Sequence, residues 1–322
     1  MTKIAVLDDW QNIARSSADW APLEAKAEVI FFQDTLAEGD ALVARLADFN
    51  VLMTMRERTR FPASLIGRLP KLRMLNITGM RNASVDVAAL QARGVVVCRT
   101  ESGEGGEATS ELTLCLMLSA ARRVPAGDAA VRAGHFQKGI PPGFTLAGKT
   151  LGLIGLGRLG SSVAGYAKAL GMNVIAWSPN LTSERAATAG VVYASKDDLM
   201  GRADIVSIHM VLSPSTAGLI GRRELALLKP GAVLVNTSRG PLVDEAALIE
   251  ALQRGGIVAA LDVYDREPLP ANHPLLHTPN TILSPHLGYC VRENYSLFYR
   301  QSVENVLAFL SGTPIRLMPA AA

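Results

Sequence analysis

Short runs of apolar and β-branched residues recur along the chain, separated by polar or glycine-rich turns. Between most of these runs lie segments with helical periodicity, such as 39–49 and 85–93. This alternation predicts βαβ units around a parallel sheet. The strands predicted in the first hundred residues are 3–7, 28–32, 50–54, 72–78 and 95–98. This half of the chain alone is compatible with a flavodoxin-like domain.

A second series of strands begins near residue 150. It is preceded by a leucine- and alanine-rich helix from about 109 to 123, and we place a domain crossing at the glycine-rich segment before that helix. The last amphipathic helix, 292–310, is expected to return to the first domain, because chain termini often lie close together. The later strands are predicted at 150–154, 173–176, 191–193, 205–208, 232–236, 258–262 and 281–283. The predicted fold class is therefore α/β, with two doubly wound parallel sheets.

The composition fits this fold and removes several classes of function. The chain has 322 residues, 49% hydrophobic and 19% charged, and its length suggests two globular domains. The formal charge of +3 is spread along the chain rather than gathered into basic blocks. We therefore expect no nucleic-acid partner, whereas a small anionic ligand stays open.

The expected location is the cytoplasm. The N-terminal segment MTKIAVLDDW places Asp8 and Asp9 where a secretory signal needs apolar residues, and no apolar run approaches the roughly 18 residues of a membrane span. The three cysteines, Cys98, Cys115 and Cys290, have neither metal-ligand spacing nor the pattern of a disulfide framework. We expect a soluble protein with no metal and no membrane association.

The first specific motif is the glycine-rich segment after the strand at 150–154. Gly155, Gly157 and Gly160 have G-x-G-x-x-G spacing between a predicted strand and a predicted helix. Such glycines allow a tight turn, close approach of a pyrophosphate and close packing of helix on strand, and the helix N-terminus offers N–H groups to the anion. We therefore expect a dinucleotide. The alternatives are a plain glycine-rich turn or another nucleoside cofactor, such as S-adenosylmethionine.

The next strand is expected to end in an acidic residue that binds the adenosine ribose, about 20 residues further on. The segment NVIAWSPN places Ser178 at that point instead. Without a carboxylate there is no repulsion of a 2′-phosphate. Ser178, Asn180 and Thr182 can donate hydrogen bonds, and Arg185 lies nearby. NADP is therefore expected to bind as well as NAD, or better.

Three later strands are each followed by a polar residue, at the edge where open α/β sheets bind ligands. These residues are Arg239, Glu267 and His286. An arginine can hold a carboxylate in bidentate fashion, a histidine can exchange a proton with a hydroxyl or carbonyl, and a glutamate can support the imidazolium. Each residue alone is more simply explained as a surface ion pair, a loop charge or a turn residue. Together with a dinucleotide turn they favour a catalytic set.

These motifs resemble the D-isomer-specific 2-hydroxyacid dehydrogenase family, which includes D-3-phosphoglycerate dehydrogenases and glyoxylate/hydroxypyruvate reductases. The matching segments, in the family's order, are GLGRLG from Gly155, DIVSIHMVLSPSTAGLI from Asp204, LKPGAVLVNTSRGPLVDEAAL from Leu228, ALDVYDREPL from Ala260 and SPHLG from Ser284. The resemblance implies a Rossmann cofactor domain at 102–290. It also implies a discontinuous, flavodoxin-like substrate domain at 1–101 and 291–322.

The resemblance assigns roles to individual residues. The family's catalytic arginine, acidic partner and acid/base fall on Arg239, Glu267 and His286, and its aspartate beside the nicotinamide falls on Asp262. Its substrate-carboxylate loop falls on 78–82, where this chain lacks the usual G-x-G-x-D pattern. The substrate-binding candidates are Arg56, Gly79, Met80, Arg81, Arg239 and His286. The cofactor-binding candidates are Thr109, Gly155, Gly157, Arg158, Leu159, Gly160, Ser178, Asn180, His209, Thr237 and Asp262.

The implied reaction is reversible hydride transfer between NAD(P)H and a small 2-oxo acid, such as glyoxylate, hydroxypyruvate or phosphohydroxypyruvate. His286 would supply the proton in the reducing direction. A formate dehydrogenase is the second hypothesis, which is disfavoured because that branch pairs its histidine with glutamine. A third hypothesis is a dinucleotide-sensing binding protein without activity.

Two further expectations concern the substrate and the assembly. Arg56, Arg58 and Arg60 either hold a second anionic group or form a solvated face, since alternate residues of an extended segment point the same way. The resemblance suggests a homodimer, and the candidate interface is the leucine-rich helix and the following arginine-rich loop within 112–137. Because the chain stops soon after the family core, no added C-terminal regulatory domain is expected.

Overall fold

The computed structural model describes residues 1–103 and 106–319 and divides into two compact units. The N/C unit comprises Met1–Glu104 and Val291–Ala322, and the middle unit comprises Gly105–Cys290. The predicted domain bounds of 101 and 291 stay a prediction. Part of the glycine-rich segment at the first crossing lies outside the described residues.

The N/C unit contains a five-stranded parallel sheet in the order β2-β1-β3-β4-β5. Its strands are β1 (Thr2–Val6), β2 (Ala27–Phe31), β3 (Val51–Met53), β4 (Met74–Ile77) and β5 (Val96–Arg99). Every residue of β3 and β4 is buried, as expected for central strands of a parallel sheet that is covered on both faces. This strand order is that of flavodoxin-like folds, so the predicted fold class of this unit is confirmed.

The helices of the N/C unit come from both ends of the chain. They are α1 (Ala14–Ser17), α2 (Ala21–Glu24), α3 (Asp40–Leu46), α4 (Ala63–Ile66), α5 (Val87–Ala92) and α13 (Arg292–Leu310). Helix α13 has the predicted bounds and buries aromatic residues such as Tyr295 and Phe298. It is also tied to β4, since Asn76 Nδ2 donates to Ser302 Oγ at 2.7 Å and accepts through Oδ1 from Asn305 Nδ2 at 2.7 Å. The C-terminal helix is therefore part of the core of this unit.

The middle unit contains a seven-stranded parallel sheet in the order β12-β11-β10-β9-β6-β7-β8. Its strands are β6 (Thr150–Ile154), β7 (Asn173–Trp177), β8 (Val192–Tyr193), β9 (Ile205–Ile208), β10 (Ala232–Asn236), β11 (Ile257–Leu261) and β12 (Thr281–Leu283). Numbered within the unit, this is the Rossmann order with a seventh strand at one edge. Side chains of β10 alternate between two cores, because Leu234 packs on one face and Val233 and Val235 on the other. The Rossmann prediction is confirmed.

The helices of the middle unit cover both faces of its sheet. They are α6 (Glu107–Arg122), α7 (Val124–Arg132), α8 (Arg158–Ala169), α9 (Ser183–Thr188), α10 (Lys196–Arg202), α11 (Arg222–Leu227) and α12 (Glu245–Arg254). Two short 3₁₀ helices occupy Gly240–Leu242 and Pro274–Leu276. The prediction of a loop after the leucine-rich helix is wrong over α7, which begins with Pro125 in its first turn, a favourable position for proline. Within the described ranges, no helix has the length and apolar character needed to cross a bilayer.

Candidate active site

Three neighbouring strands of the middle unit carry the predicted catalytic residues just beyond their carboxyl ends. Arg239 follows β10, Glu267 follows β11 and His286 follows β12. Because β10, β11 and β12 are adjacent and parallel, the loops after them emerge side by side at one edge of the sheet. This edge is where doubly wound sheets bind ligands.

His286 and Glu267 form a close pair. His286 Nδ1 lies 2.5 Å from Glu267 Oε2, and the two side chains are 16% and 21% exposed. The second carboxylate oxygen, Oε1, accepts from the backbone N–H of Tyr264 at 3.0 Å, so the carboxylate is fixed in orientation. The ring of Tyr289 meets the His286 ring edge to face, with centroids 5.8 Å apart. A histidine held in this way can exchange a proton through its other nitrogen, Nε2.

Arg239 lies on a turn that is packed tightly against the loop of Glu267. Its backbone carbonyl accepts from Asn236 Nδ2 at 2.9 Å, and its Nη1 donates to the carbonyl of Ser238 at 2.7 Å. A Cβ atom at Gly240 would lie 2.1 Å from the carbonyl carbon of Tyr264. Only glycine therefore allows this approach of the turn after β10 to the turn after β11.

Asp262 anchors the loop that carries His286. The aspartate is fully buried, and it accepts from the hydroxyl of Ser284 at 2.5 Å and from the backbone N–H groups of Leu287 and Gly288 at 2.7 and 2.9 Å. Burial raises the pKa of Asp262, while these hydrogen bonds oppose the rise. The family resemblance implies that this residue lies beside the nicotinamide, and the structure adds that both of its oxygens hold the His286 loop.

Two threonines proposed as cofactor contacts make hydrogen bonds within the protein. Thr109 Oγ1 donates to the carbonyl of Gly288 at 2.9 Å. Thr237 Oγ1 lies 2.8 Å from Thr113 Oγ1. Both bonds connect helix α6 to loops at the carboxyl edge of the sheet, so these residues position that edge.

The glycine-rich turn has the geometry of a phosphate cradle. Gly155 has a φ of +101°, and a Cβ there would lie 2.4 Å from the carbonyl oxygen of His209. A Cβ at Gly160 would lie 2.2 Å from the carbonyl oxygen of Gly155, whereas a Cβ at Gly157 would meet open space. Helix α8 begins at Arg158, followed by Leu159, and no side chain caps it. The open Gly157 and the uncapped N–H groups fit the pyrophosphate of a dinucleotide.

His209 lies directly beneath this turn. Its Nε2 is 3.0 Å from Ser207 Oγ, and its buried Nδ1 has no hydrogen-bond partner among the described residues. Burial lowers the pKa of His209 to about 4, so the ring is neutral at physiological pH. Because this ring is neutral, the positive charge at the turn comes from the N-terminus of helix α8 and from Arg158 at its first position.

The segment after β7 has no carboxylate at the position expected for ribose binding. Ser178 follows Trp177, the last residue of β7, and its carbonyl accepts from the N–H of Leu181 at 3.1 Å. Arg185 Nη1 donates to the carbonyl of Asn180 at 2.8 Å, which brings a guanidinium to this turn. The hydroxyl of Thr182 caps helix α9. A hydroxyl, an amide and a guanidinium thus occupy one turn.

In the N/C unit, the predicted substrate loop lies beside the turn after β3. The backbone N–H of Arg56 donates to Thr78 Oγ1 at 2.8 Å, and Arg56 Nη1 covers Gly79, where a Cβ would lie only 2.0 Å away. The N–H of Gly79 donates to Thr100 Oγ1 at 2.7 Å, so this amide is hydrogen-bonded within the N/C unit. Met80 and Arg81 are exposed, so their side chains lie at the surface of this loop.

The arginine cluster at 56–60 is not an extended segment. Residues 56–59 form a turn and bend, and Arg56 has a left-handed φ of +49°. The expectation that alternate arginines point the same way is therefore wrong. Arg56 and Arg58 are half-buried, and Arg60 is exposed. No period-two pattern in the sequence signals such a turn, because its conformation depends on contacts with the loop after β4.

Several residues that position these groups were not predicted from the sequence. They are Ser284 and Tyr264 beside the catalytic pair, Ser207 beside His209, and Thr100 beside Gly79. Ser284, Tyr264 and Ser207 could have been found, since they belong to the segments that begin at Ser284, Ala260 and Asp204, whereas Thr100 lies in no motif. Across residues 1–103 and 106–319, no group of three or more histidine, cysteine, aspartate or glutamate side chains is arranged to hold a metal ion.

Comparisons with known proteins agree with the geometry of the middle unit. Residues 114–288 match the family described as D-isomer specific 2-hydroxyacid dehydrogenase, NAD binding domain. Glyoxylate reductase from Aeropyrum pernix is 40% identical over 283 residues, which cover 85% of this chain and 81% of that protein. The middle unit is therefore an NAD-binding domain. The chain belongs to the D-isomer-specific 2-hydroxyacid dehydrogenase family.

Other relatives are longer than this chain or share its whole fold. D-3-phosphoglycerate dehydrogenase from Archaeoglobus fulgidus is 36% identical over 265 residues, which cover 82% of this chain and 50% of that protein. The chain thus spans about half the length of this relative. The crystal structure of phosphoglycerate oxidoreductase from Vibrio cholerae O395 has a TM-score of 0.91 at 35% identity, covering 97% of this chain and 100% of that one.

Proposed function

We propose that the protein catalyses reversible hydride transfer between a nicotinamide dinucleotide and a small 2-oxo acid. In the reverse direction the enzyme oxidises the CH–OH group of the D-2-hydroxy acid. The single observation that carries this proposal is the 2.5 Å pair of His286 and Glu267 at the carboxyl edge of an NAD-binding sheet. Relatives named glyoxylate reductase and D-3-phosphoglycerate dehydrogenase support this class of substrate.

In the proposed mechanism, each catalytic residue of the middle unit has a separate role. The bound nicotinamide supplies the hydride. Arg239 binds the substrate carboxylate through its guanidinium. His286, protonated and oriented by Glu267, donates its Nε2 proton to the carbonyl oxygen as the carbonyl carbon becomes C–H. In reverse, neutral His286 accepts the hydroxyl proton, so the two directions use the same group.

We propose that Arg56, Met80 and Arg81 of the N/C unit also bind the anionic acid. Arg56 is half-buried and carries a charge suited to a carboxylate or phosphate. The amides of Met80 and Arg81 would serve as donors in place of the amide of Gly79, which is bonded to Thr100. Gly79 would contribute its left-handed φ of +86° rather than its N–H.

The decisive experiment follows nicotinamide absorbance with purified protein. Glyoxylate, hydroxypyruvate, phosphohydroxypyruvate and pyruvate are each offered with NADH and with NADPH. We expect saturable turnover of at least one acid. Oxidation of formate with no reduction of any 2-oxo acid would favour a formate dehydrogenase. Tight coenzyme binding without any turnover would favour a dinucleotide-sensing protein.

We propose that the enzyme accepts NADP as well as NAD. The turn that contains Ser178, Asn180 and Arg185 has donors and a cation for a 2′-phosphate, and it has no carboxylate at the position directly after β7 where an acidic residue usually binds the ribose. Ser178→Asp is expected to raise the KM for NADPH by about tenfold or more and to change the KM for NADH much less. A strong preference of the unmodified protein for NADH would contradict this proposal.

We propose a homodimer formed through α6, α7 and the segment after them. This region exposes apolar side chains whose exposed fractions are 38% for Leu118, 55% for Val124, 62% for Val131 and 71% for Phe136. Contiguous exposed apolar residues often mark protein interfaces. Light scattering is expected to give twice the mass of the chain, and Phe136→Glu with Val131→Glu should give the monomer. A monomeric unmodified protein at micromolar concentration would refute the dimer.

We also propose that the protein works in the reducing environment of the cytoplasm. No disulfide joins its cysteines, Cys98, Cys115 and Cys290, whereas structural disulfides are typical of oxidising compartments. Fractionation of the source cells should recover the protein with cytoplasmic markers, and recovery with extracytoplasmic markers would refute the assignment.

A further inference from the structure

A buried carboxylate joins the loops after three adjacent strands of the N/C unit. Asp8 follows β1, Thr35 follows β2 and Thr59 follows β3. Thr59 Oγ1 donates to the two carboxylate oxygens of Asp8 at 3.0 and 2.9 Å. The hydroxyl of Thr35 donates to Asp8 Oδ1, and it accepts from the indole N–H of Trp10 at 2.8 Å. Asp8 is only 3% exposed, so these bonds replace its hydration.

This network lies at the switch point of the sheet. In the order β2-β1-β3-β4-β5, β2 is added on one side of β1 and the later strands on the other side, and doubly wound sheets usually bind ligands in the crevice between β1 and β3. Here Asp8 and Thr59 are hydrogen-bonded across that point. The network therefore occupies the usual ligand crevice with the protein's own side chains, and Asp8 plays no part in the proposed chemistry.

The bonds of Asp8 fix one end of the turn that carries the arginines. Thr59 belongs to the turn 56–60, and Arg58 acts electrostatically on Asp8. The other end of the turn is held by the loop after β4, because Asn82 Nδ2 donates to the carbonyl of Arg56 at 2.5 Å. A turn held at both ends presents Arg56 in one conformation, despite the left-handed φ of +49° that this residue adopts.

Asp8 itself is suited to this place. It has a left-handed φ of +61°, which aspartate and asparagine tolerate better than most residues. Its neighbour Asp9 is also buried but has a different role. Asp9 Oδ1 accepts from the N–H of Ile13 at 2.8 Å and thereby anchors helix α1. Two adjacent buried aspartates thus anchor two different segments, which provides a matched control.

We propose that Asp8 is a positioning residue that holds the turn 56–60 through Thr59 and thereby sets the affinity for the anionic substrate. The part of this inference that concerns substrate rests on the proposed function. The part that concerns the turn does not, since it can be measured without any substrate.

The first experiment measures amide hydrogen exchange of residues 54–61 in the unmodified protein and in Asp8→Asn, Thr59→Val and Asp9→Asn. Asparagine keeps the left-handed conformation but loses the charge and one acceptor, and valine removes the hydroxyl at nearly constant shape. Both are expected to speed exchange in this segment by about tenfold. Asp9→Asn should leave the segment unchanged and speed exchange in residues 13–17.

The second experiment measures steady-state reduction of glyoxylate and phosphohydroxypyruvate with NADH in the same four proteins. Asp8→Asn and Thr59→Val are expected to raise the KM for the acid by about tenfold and to leave kcat within about twofold, because uniform binding is lost while the catalytic groups stay in place. Asp9→Asn should change neither constant. A purely structural role of Asp8 would lower the amount of active protein instead, and would leave KM unchanged.

The two experiments separate the inference from the function on which it partly rests. Unchanged exchange in residues 54–61 for both Asp8→Asn and Thr59→Val overturns the inference, whatever the activity. Faster exchange with an unchanged KM also overturns it, because the turn would then not determine affinity. If none of the four proteins reduces either acid, the proposed function is wrong. The exchange data still show whether Asp8 holds the turn 56–60. Should Asp8→Asn fail to fold, Thr59→Val and its conservative partner Thr59→Ser carry both tests.

Discussion

The middle unit contains two histidine–glutamate pairs that look alike by distance and burial. His286 and Glu267 are 2.5 Å apart and 16% and 21% exposed, and His273 and Glu245 are 3.0 Å apart and 15% and 20% exposed. They differ in position. His286 lies just after a strand, at the edge where the sheet binds ligands, whereas His273 caps the 3₁₀ helix Pro274–Leu276. A close pair is therefore not enough to define a site.

The hydrogen bonds of His273 have a structural explanation. Nδ1 of His273 accepts from the backbone N–H of Leu275 at 3.3 Å, so the neutral ring must carry its proton on Nε2, which donates to Glu245. Both nitrogens of His273 are thereby engaged by the protein, and a proton on Nδ1 would break the cap. His286 uses Nδ1 for its glutamate, and the proposed chemistry takes place at Nε2. The two pairs are therefore distinguished by the backbone cap that His273 makes and by the position of His286 at the ligand-binding edge of the sheet.

The largest expected effect tests this comparison directly. His286→Ala should lower kcat by about 10²- to 10⁴-fold, the usual contribution of a general acid, with coenzyme affinity nearly unchanged. His273→Ala is the matched control, and it should keep kcat within a few-fold while lowering the free energy of unfolding by about 1–2 kcal/mol. Steady-state kinetics and coenzyme titration measure both. Equal losses of kcat in the two variants would erase the distinction between the pairs.

The next effect concerns the packing that brings the loops of Arg239 and Glu267 together. Gly240→Ala places a Cβ 2.1 Å from the backbone of Tyr264, so the two turns must separate. We expect the free energy of unfolding to fall by about 1–3 kcal/mol and kcat to fall with it, because Glu267 follows Tyr264 by three residues. Urea denaturation and kinetics measure these changes. Full stability together with full activity would show that the contact is unimportant.

His209 can be compared with His286 and His273, because its pKa is set by burial and not by a neighbouring glutamate. Burial lowers its pKa to about 4 from 6.5, so between these pH values the unfolded chain binds a proton that the folded protein does not. Above about pH 6.5 the ring is neutral in both states and does not lower the free energy of unfolding. Below that pH the free energy of unfolding falls, by up to about 1.4 kcal/mol per pH unit. Denaturation from pH 7 to pH 4.5 should show a shallower decline in His209→Gln. Parallel declines in the two proteins would contradict the neutral, buried ring.

The smallest effect has the opposite sign and calibrates the Gly240 result. Gly165 lies in helix α8 with open space around a Cβ. Gly165→Ala should therefore raise the free energy of unfolding by up to about 1 kcal/mol, since alanine favours the helix. Activity should not change. A loss of stability would mean that the cost at Gly240 cannot be attributed to its close contact.

Most of the fold could be predicted because the buried strands of a parallel sheet are continuous apolar runs in the sequence. Strands such as β6, β9, β10 and β12 have the predicted bounds, since their apolar runs end at polar turns. The loops of Arg239, Glu267 and His286 were predictable for the same reason, as each follows such a run.

What could not be predicted depends on contacts between residues that are distant in the sequence. The pair of His273 and Glu245 joins residues 28 positions apart, and the bond between Asp8 and Thr59 joins residues 51 positions apart. The turn at 56–60 takes its form from the loop after β4, so strand periodicity misjudged it. Helix α7 was not predicted from the sequence, and its Pro125 lies in the first turn, where proline is tolerated.

The position of α13 in the core of the N/C unit has a consequence for synthesis of the protein on the ribosome. Residues 105–290 contain a complete seven-stranded sheet before α13 is translated, so this later segment can fold first. The N-terminal strands, made earliest, lack the aromatic side chains of α13 and the partners of Asn76 until the helix emerges. We therefore expect an order of folding that is the reverse of the usual N-terminal-first order, in which the nascent N-terminal strands are the part of the chain that a chaperone would have to shield.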